Sequence, residues 1–344
     1  MKTKHVIYSL LVLLIIFTGC REITVTTKVN KNGSFTRIIS IRGDSSDLYK
    51  SGLPYPIDSS WISHIKPDTS EANKFILTYS KTYANNDLLN AEIENDTSWK
   101  KQLNRKIEIN KRFGLFYSYI RYREIYPAAN PFTKLDYKNY LTNGDLQIFR
   151  GNFLALNKQD SLLLEKTEDK MDDYLLQSIS IEIRDILKKG VLQVNNKNLD
   201  TSIVDFYKDS IDVKIDDWEY DNPQEFIRYM KEWTDNPAFE DLNKIDPPLF
   251  QEQNQKFLFI MQLIEMEDFT NVVEMPGLIT STNSINVKGN RLSWGVDVNS
   301  FLVSDYDMTA ESRVINKWGF ITTGIVILFT ILIFFVKLRN RRNV

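Results

Sequence analysis

The sequence predicts an α+β fold: an antiparallel β-sheet module formed by both ends of the central region, a helical insertion between them, and one C-terminal transmembrane helix. Three observations predict it. Apolar residues alternate with period two near both ends of the chain. Over the middle they recur at three- and four-residue spacing. An uncharged apolar run closes the chain just before a basic tail.

The first element is a leader over residues 1–19. Lys2, Lys4 and His5 precede the uncharged run "VIYSLLVLLIIF", and Thr18, Gly19 and Cys20 follow. A basic start, a short apolar stretch and small residues make a bacterial signal peptide. The apolar run is too short to span a bilayer. Its ending "FTGC" resembles the lipobox of bacterial lipoproteins, with Phe17 where that family usually has Leu or another aliphatic. The resemblance implies cleavage before Cys20 and thioether-linked lipid on it. Cys20 is the single cysteine, so lipidation would leave no thiol for disulfides or metal.

"REITVTTKVNKNGSFTRIISIRG" reads as a β-hairpin. Ile23, Val25, Thr27 and Val29 share one face, Asn32-Gly33 marks the turn, and Phe35, Arg37, Ile39 and Ile41 continue it. A Pro-rich polar loop is expected over residues 43–71, with Trp61 and His64. "NKFILTYSKTYA" is a further strand, and residues 85–104 are open between helix and loop. In "RKIEINKRFGLFYSYIRYREIY", Phe116, Ser118, Ile120, Tyr122 and Glu124 fall on one face. Leu115, Tyr117, Tyr119, Arg121 and Arg123 fall on the other.

Helical signals then run to about residue 266. The clearest covers residues 160–190, with Leu164, Met171, Leu175, Ile179, Ile183 and Ile186 on one stripe. Asp160 or Ser161 is the expected start, and Lys188, Lys189 and Gly190 the expected end. "NLDTSIVDFYKDS", "NPQEFIRYMKEW" and "DPPLFQEQNQKFLFIMQLIEME" are further helices, the last with Pro247 and Pro248 in its first turn. Strand patterns return from Asp268, with turns at Pro276-Gly277 and Lys288-Gly289-Asn290. "YDMTAESRVINKW" is a final strand or stalk.

Gly319 to Val336 is uncharged, about 27 Å long as a helix, and just spans a hydrocarbon core. Trp318, Lys337 and Arg339 are the expected interface residues, and Arg341 and Arg342 complete a basic flank that stays in the cytoplasm. The expected organisation is therefore a leader at 1–19, a β-rich module from 20–126 and 267–316, a mainly helical insertion at 127–266, a transmembrane helix at 317–337 and a cytoplasmic tail at 338–344. If lipid and helix share one membrane, the first strand should begin, and the last segment end, beside that bilayer.

The stretches "GCREITVTTKVNKNGSFTRIISI", "VVEMPGLITSTNSINVKGNRLSW" and "AESRVINKW", followed by the apolar helix, together resemble the LppM-like group of membrane-anchored bacterial lipoproteins. The resemblance covers about a third of the chain. It implies a β-rich extracytoplasmic domain and binding in place of catalysis, and it leaves the helical middle unexplained.

Chemistry-bearing motifs are scarce. His5 leaves with the leader, so His64 is the mature chain's single histidine. That excludes zinc sites built from several His or Cys, and no nucleophile elbow or phosphate-binding glycine loop is present. "KIDDWEYDN" gathers Asp216, Asp217, Glu219 and Asp221, which could serve glycoside hydrolysis or calcium, but a solvated acidic turn accounts for them as well. "EKTEDKMDD" falls on the polar face of the long helix. No catalytic residue, metal site or cofactor is expected.

Sixteen tyrosines make aromatics the compositional surplus. Tyr117, Tyr119, Arg121 and Arg123 form a candidate binding face, unless the helical insertion covers it. Setting aside the two leader lysines and the five cations from Lys317 onward, the remaining domain has about nine more acids than bases. Such a domain is a poor partner for nucleic acid or anionic headgroups. The expected function is a non-enzymatic envelope lipoprotein that binds or assembles a protein, lipid or glycan partner. It would sit in the bacterial cytoplasmic membrane, held by lipid on Cys20 and by the C-terminal helix. The alternative is a carboxylate-dependent, glycan-directed hydrolase of the envelope.

Overall fold

The computed structural model describes residues 21–342 apart from 50–52, 54, 72, 152–157 and 217–221. The leader and Cys20 lie outside the described residues.

Eleven strands form two sheets among the described residues. The larger has the order β3-β4-β2-β1-β7-β10-β9, and the smaller β5-β6-β11-β8. β1 (Glu22–Val29) and β2 (Phe35–Asp44) make the expected hairpin, with Val29 opposite Phe35. β3 (Ile62–Pro67) and β4 (Lys74–Tyr83) extend it on one side. On the other side lie β7 (Phe269–Glu274), β10 (Arg291–Val296) and β9 (Asn286–Lys288). β11 (Tyr306–Ile315) is the centre of the second sheet, flanked by β6 (Tyr117–Tyr126) and β8 (Leu278–Thr282), with β5 (Lys106–Arg112) beyond β6.

The fold class therefore holds, with two sheets drawn from both ends of the chain in place of one. The pairing is antiparallel except that β1 and β7 run parallel, Thr24 opposite Thr270. A crossover makes this possible, because the whole helical insertion separates the two strands. The inner faces follow the alternation: Val25, Phe35, Ile39, Ile120, Tyr122, Val273, Leu292 and Met308 are all buried. Each aliphatic or aromatic side chain withdrawn from water contributes about 1.5–3 kcal/mol, so this shared interior holds the two sheets face to face.

The expected loop over 43–71 contains β3, an edge strand whose residues are all exposed. With no buried face, it has no alternation to betray it. Residues 85–104 resolve into α1 (Asn86–Glu94), capped by the Asn85 side chain, and a 3-10 turn at Trp99–Leu103. In the insertion, α2 (Asn143–Phe149) opens on a Thr142–Asp145 capping box. α3 (Lys158–Val194) is the long helix, followed by α4 (Thr201–Phe206), α5 (Lys208–Asp216), α6 (Glu225–Thr234) and α7 (Gln251–Ile264).

α3 does not end at Gly190. A Cβ there would come within 2.5 Å of Leu249 and 3.1 Å of Leu242, so the glycine serves close packing. Asn195, at φ 47°, takes the left-handed position instead. α7 begins at Gln251, whose N–H meets the Pro248 carbonyl, so the two prolines precede the helix.

The ends of the sandwich can be told apart. The Tyr306 hydroxyl donates to the Gly295 carbonyl, and Gly295 pairs with Thr270 at the start of β7. At the other end Gly277, just past β7, lies against the Arg313 carbonyl near the end of β11. β7 and β11 thus run the same way, and β1 runs with β7. The insertion leaves after β6 and returns before β7 at the Tyr306 end. There the Arg150 guanidinium and the Phe149 carbonyl bind Ser300, and Arg150 also binds Ser304. α8 (Lys317–Arg342) leaves from the opposite end, beyond Ile315.

Candidate functional site

The apolar helix and the strand that feeds it form one built junction. α8 contains a stretch, Lys317–Lys337, long and apolar enough to cross a membrane, with a mean hydropathy of 2.6 and 6% of its residues buried in the rest of the chain. β11 runs into it through Asn316. The Asn316 side-chain amide donates to the Gly114 carbonyl at 2.6 Å, its N–H donates to Phe116 O, and its carbonyl accepts from Gly319 N. Ser118 Oγ donates to Asn316 Oδ1 at 3.0 Å.

The β5–β6 turn is thereby clamped beside the first turn of α8. Phe113 stacks on Trp318 with centroids 5.6 Å apart, and Phe116 lies 4.9 Å from Phe320. Only glycine fits at 319, where a Cβ would stand 2.1 Å from the Leu115 carbonyl. Of the expected interface residues, Trp318 is exposed at this junction, Lys337 closes the apolar stretch, and Arg339 follows within α8.

Tyr117, Tyr119, Arg121 and Arg123 share the outer face of β6, where Arg121 is exposed and the other three are half-buried. Those three are engaged with their own sheet. Arg123 holds Asp307 at 2.8 Å, Arg313 lies over the Tyr117 ring, and Arg112 lies over Tyr119. The face is a ladder of cross-strand pairs.

The inner face of β6 carries a buried ion pair between the sheets. Arg37 meets Glu124 through two bonds, Nη1 to Oε2 at 3.0 Å and Nη2 to Oε1 at 2.7 Å. Thr27, Tyr55, Tyr122 and Asn271 bond to the pair, and a second buried cation, Arg105, lies 4.0 Å from Glu124. Burial works against both charges, yet Glu124 holds the Arg37 guanidinium well above its usual pKa, and Arg37 holds the Glu124 carboxyl below its own. With 0% and 1% side-chain exposure, the pair belongs to the core.

The concave site lies in the helical insertion. Leu175, Leu176 and Ile179 of α3, Ile215 of α5 and Ile260, Met261 and Ile264 of α7 line a cleft of about 510 Å³, closed on one side by Val298 and Leu302. That size and apolar lining fall in the range of small-molecule sites. Asp172 and Asp216 supply its acidic rim. Burial and the neighbouring Asp169, Asp173 and Asp216 push the Asp172 carboxyl upward.

Asp216 thus reaches a concave site, while Asp217, Glu219 and Asp221 lie outside the described residues. Asp172, read in sequence as part of a solvated cluster, borders the same cleft. His64 sits on the exposed edge strand β3. Among the described residues no group of three or more His, Cys, Asp or Glu converges. The α7 residues carry no separate signal in the sequence, because an apolar stripe that lines a cleft has the same spacing as one that packs in a core.

No family model matches the chain, and no curated protein matches it. Among solved structures, the NMR structure of the folded domain of LppM from Mycobacterium tuberculosis is similar over 87% of this chain and 94% of that one, at 8% identity and a TM-score of 0.27. A likeness at that level leaves fold and function to be argued from this chain's own residues.

Proposed function

We propose that the chain is a non-enzymatic envelope lipoprotein, anchored in the bacterial cytoplasmic membrane by α8 with lipid on Cys20. Its body stands outside the cytoplasm and binds the apolar part of an amphiphile between α3, α5 and α7. The cleft carries this reading: about 510 Å³ lined by Leu175, Leu176, Ile179, Ile260 and Met261, with two carboxylates at its rim. An apolar lining suits an acyl chain and offers a glycan few hydrogen-bond partners. The carboxylates favour a cationic or neutral head over an anionic one. The basic tail after Lys337 supports a cytoplasmic C-terminus.

The test is a methyl NMR titration of the full chain in bilayer discs, labelled at methionine methyls, with octyltrimethylammonium as probe. The Met261 methyl should shift saturably, the buried Met230 methyl should not, and Ile179→Trp should abolish the response by filling the cleft. Octanoate should bind more weakly. A Met261 methyl that stays in place, or methionines that all shift alike, would refute the cleft as the binding site.

A further inference from the structure

We infer that the end of the β-sandwich beside α8 is a docking surface for anionic phospholipid headgroups of the membrane that α8 enters. The inference rests on the reading that α8 spans that membrane. The domain as a whole is acidic, yet the fold sorts its charges by end. Among the turns at the α8 end are β1–β2, because Lys28 pairs across from Glu274; β9–β10, because Arg291 does so too; and the β5–β6 hairpin. The end of β4, with the Asp87 carboxylate just after it, lies at this end too.

These turns and the junction present Lys31, Lys111, Arg112, Lys288, Arg291 and Lys317, all exposed. Among the described residues none of the six has an acidic partner within ion-pair distance. Glu274 stands among them and is engaged by Lys28 at 3.7 Å. At the Tyr306 end Arg42 is matched with Glu22, Asp68 and Glu71, and Lys74 with Glu71, while Lys66 stands unmatched among the described residues.

Apolar contact accompanies the charge. Phe113 and Leu115, at the tip of the β5–β6 hairpin, are 62% and 51% exposed, and Phe113 is stacked on Trp318. An aromatic, an aliphatic and two cations in one tip, continuous with a membrane-entering helix, have the composition of an interfacial anchor. Lys and Arg held within a Debye length of an anionic leaflet are attracted to it, and salt weakens the attraction. The surface therefore sets the tilt of the body on the bilayer and holds the cleft at the far side.

Hydrogen exchange of the full chain in discs tests this, comparing phosphatidylcholine alone with a phosphatidylglycerol mixture. Amides of residues 31–34, 112–116 and 288–291 should exchange at least about tenfold more slowly in the anionic discs at low salt. The difference should vanish in high salt and in the triple variant Lys31→Glu, Lys288→Glu, Arg291→Glu, whose β2 and β11 core amides serve as the folding control. Equal exchange in both discs, with α8 amides protected in each, would overturn the docking surface and leave the membrane span standing. Unprotected α8 amides in both would overturn the span and the docking surface with it.

Discussion

Arg37 and Glu124 face each other with 0% and 1% side-chain exposure, and their mutual attraction opposes the burial that disfavours both charges. A pair buried this deeply gains little over an apolar replacement, but loss of one partner leaves a stranded charge, at a cost of about 3–5 kcal/mol. Arg37→Met should therefore destabilise the chain by about that amount, and Glu124→Leu, which strands both Arg37 and the buried Arg105, by more. Denaturant unfolding of the full chain in discs, followed by near-ultraviolet circular dichroism, checks both.

Asp297 offers a second test at this scale. Burial, with Asp268 nearby and despite bonds from Ser300, raises its carboxyl to about 7. The folded state then holds a proton that the unfolded state has released between about pH 4 and pH 7, so stability falls as pH rises through that window and is flat above it. Asp297→Asn, which can still accept from Ser300, should remove the slope and gain up to about 4 kcal/mol at pH 8. Parallel pH series of thermal melts would show it. The alternation of β1, β2 and β6 in the sequence places Thr27, Arg37 and Glu124 on the core-facing sides. It does not say that they meet, because β6 pairs with neither of the other two strands.

Between the last strand and the apolar helix α8 there is no slack. Asn316, Gly319 and the ring pairs Phe113–Trp318 and Phe116–Phe320 make one block of β11, the β5–β6 turn and α8. Gly319→Val should push the turn off the helix, and amide exchange over residues 113–116 should rise while α8 stays protected. Unchanged exchange there would show a flexible stalk. Long elements with one buried face were legible in sequence: β1, β2, β6, β11 and α3 stand close to where their periodicity puts them. What escaped was set by partners remote in the chain. Gly190 looks like a helix stop until Leu242 and Leu249 are packed on it. The parallel β1–β7 pair and the division into two sheets depend on where the insertion sends the chain, and no local pattern encodes that.

At the level of the whole molecule, Arg21 and the start of α8 lie at opposite ends of the sandwich. Arg21 joins Glu267 and precedes β1 at the Tyr306 end, whereas α8 leaves beyond Ile315. The ten residues of β11 measure about 30 Å, so the expected start of β1 beside the bilayer at α8 is corrected. Cys20, outside the described residues, adds about 3.8 Å of reach from Arg21. Lipid on Cys20 is thus not what seats the β-rich body at the junction, and Cys20→Ser should leave the full chain in the membrane fraction after carbonate washing. Appearance of the variant in the wash would give the lipid the main anchoring role. The acidic net charge, read from sequence as unsuited to anionic lipid, averages over ends that the fold keeps separate.

The most direct test is paramagnetic broadening of the full chain in discs containing a headgroup nitroxide lipid. Signals from residues 31–33, 112–115 and 289–290 should broaden, and those of the β3–β4 connection at the opposite end should stay sharp. Broadening at that opposite end, or at neither, would contradict a body seated on the bilayer by the α8 end of its sandwich.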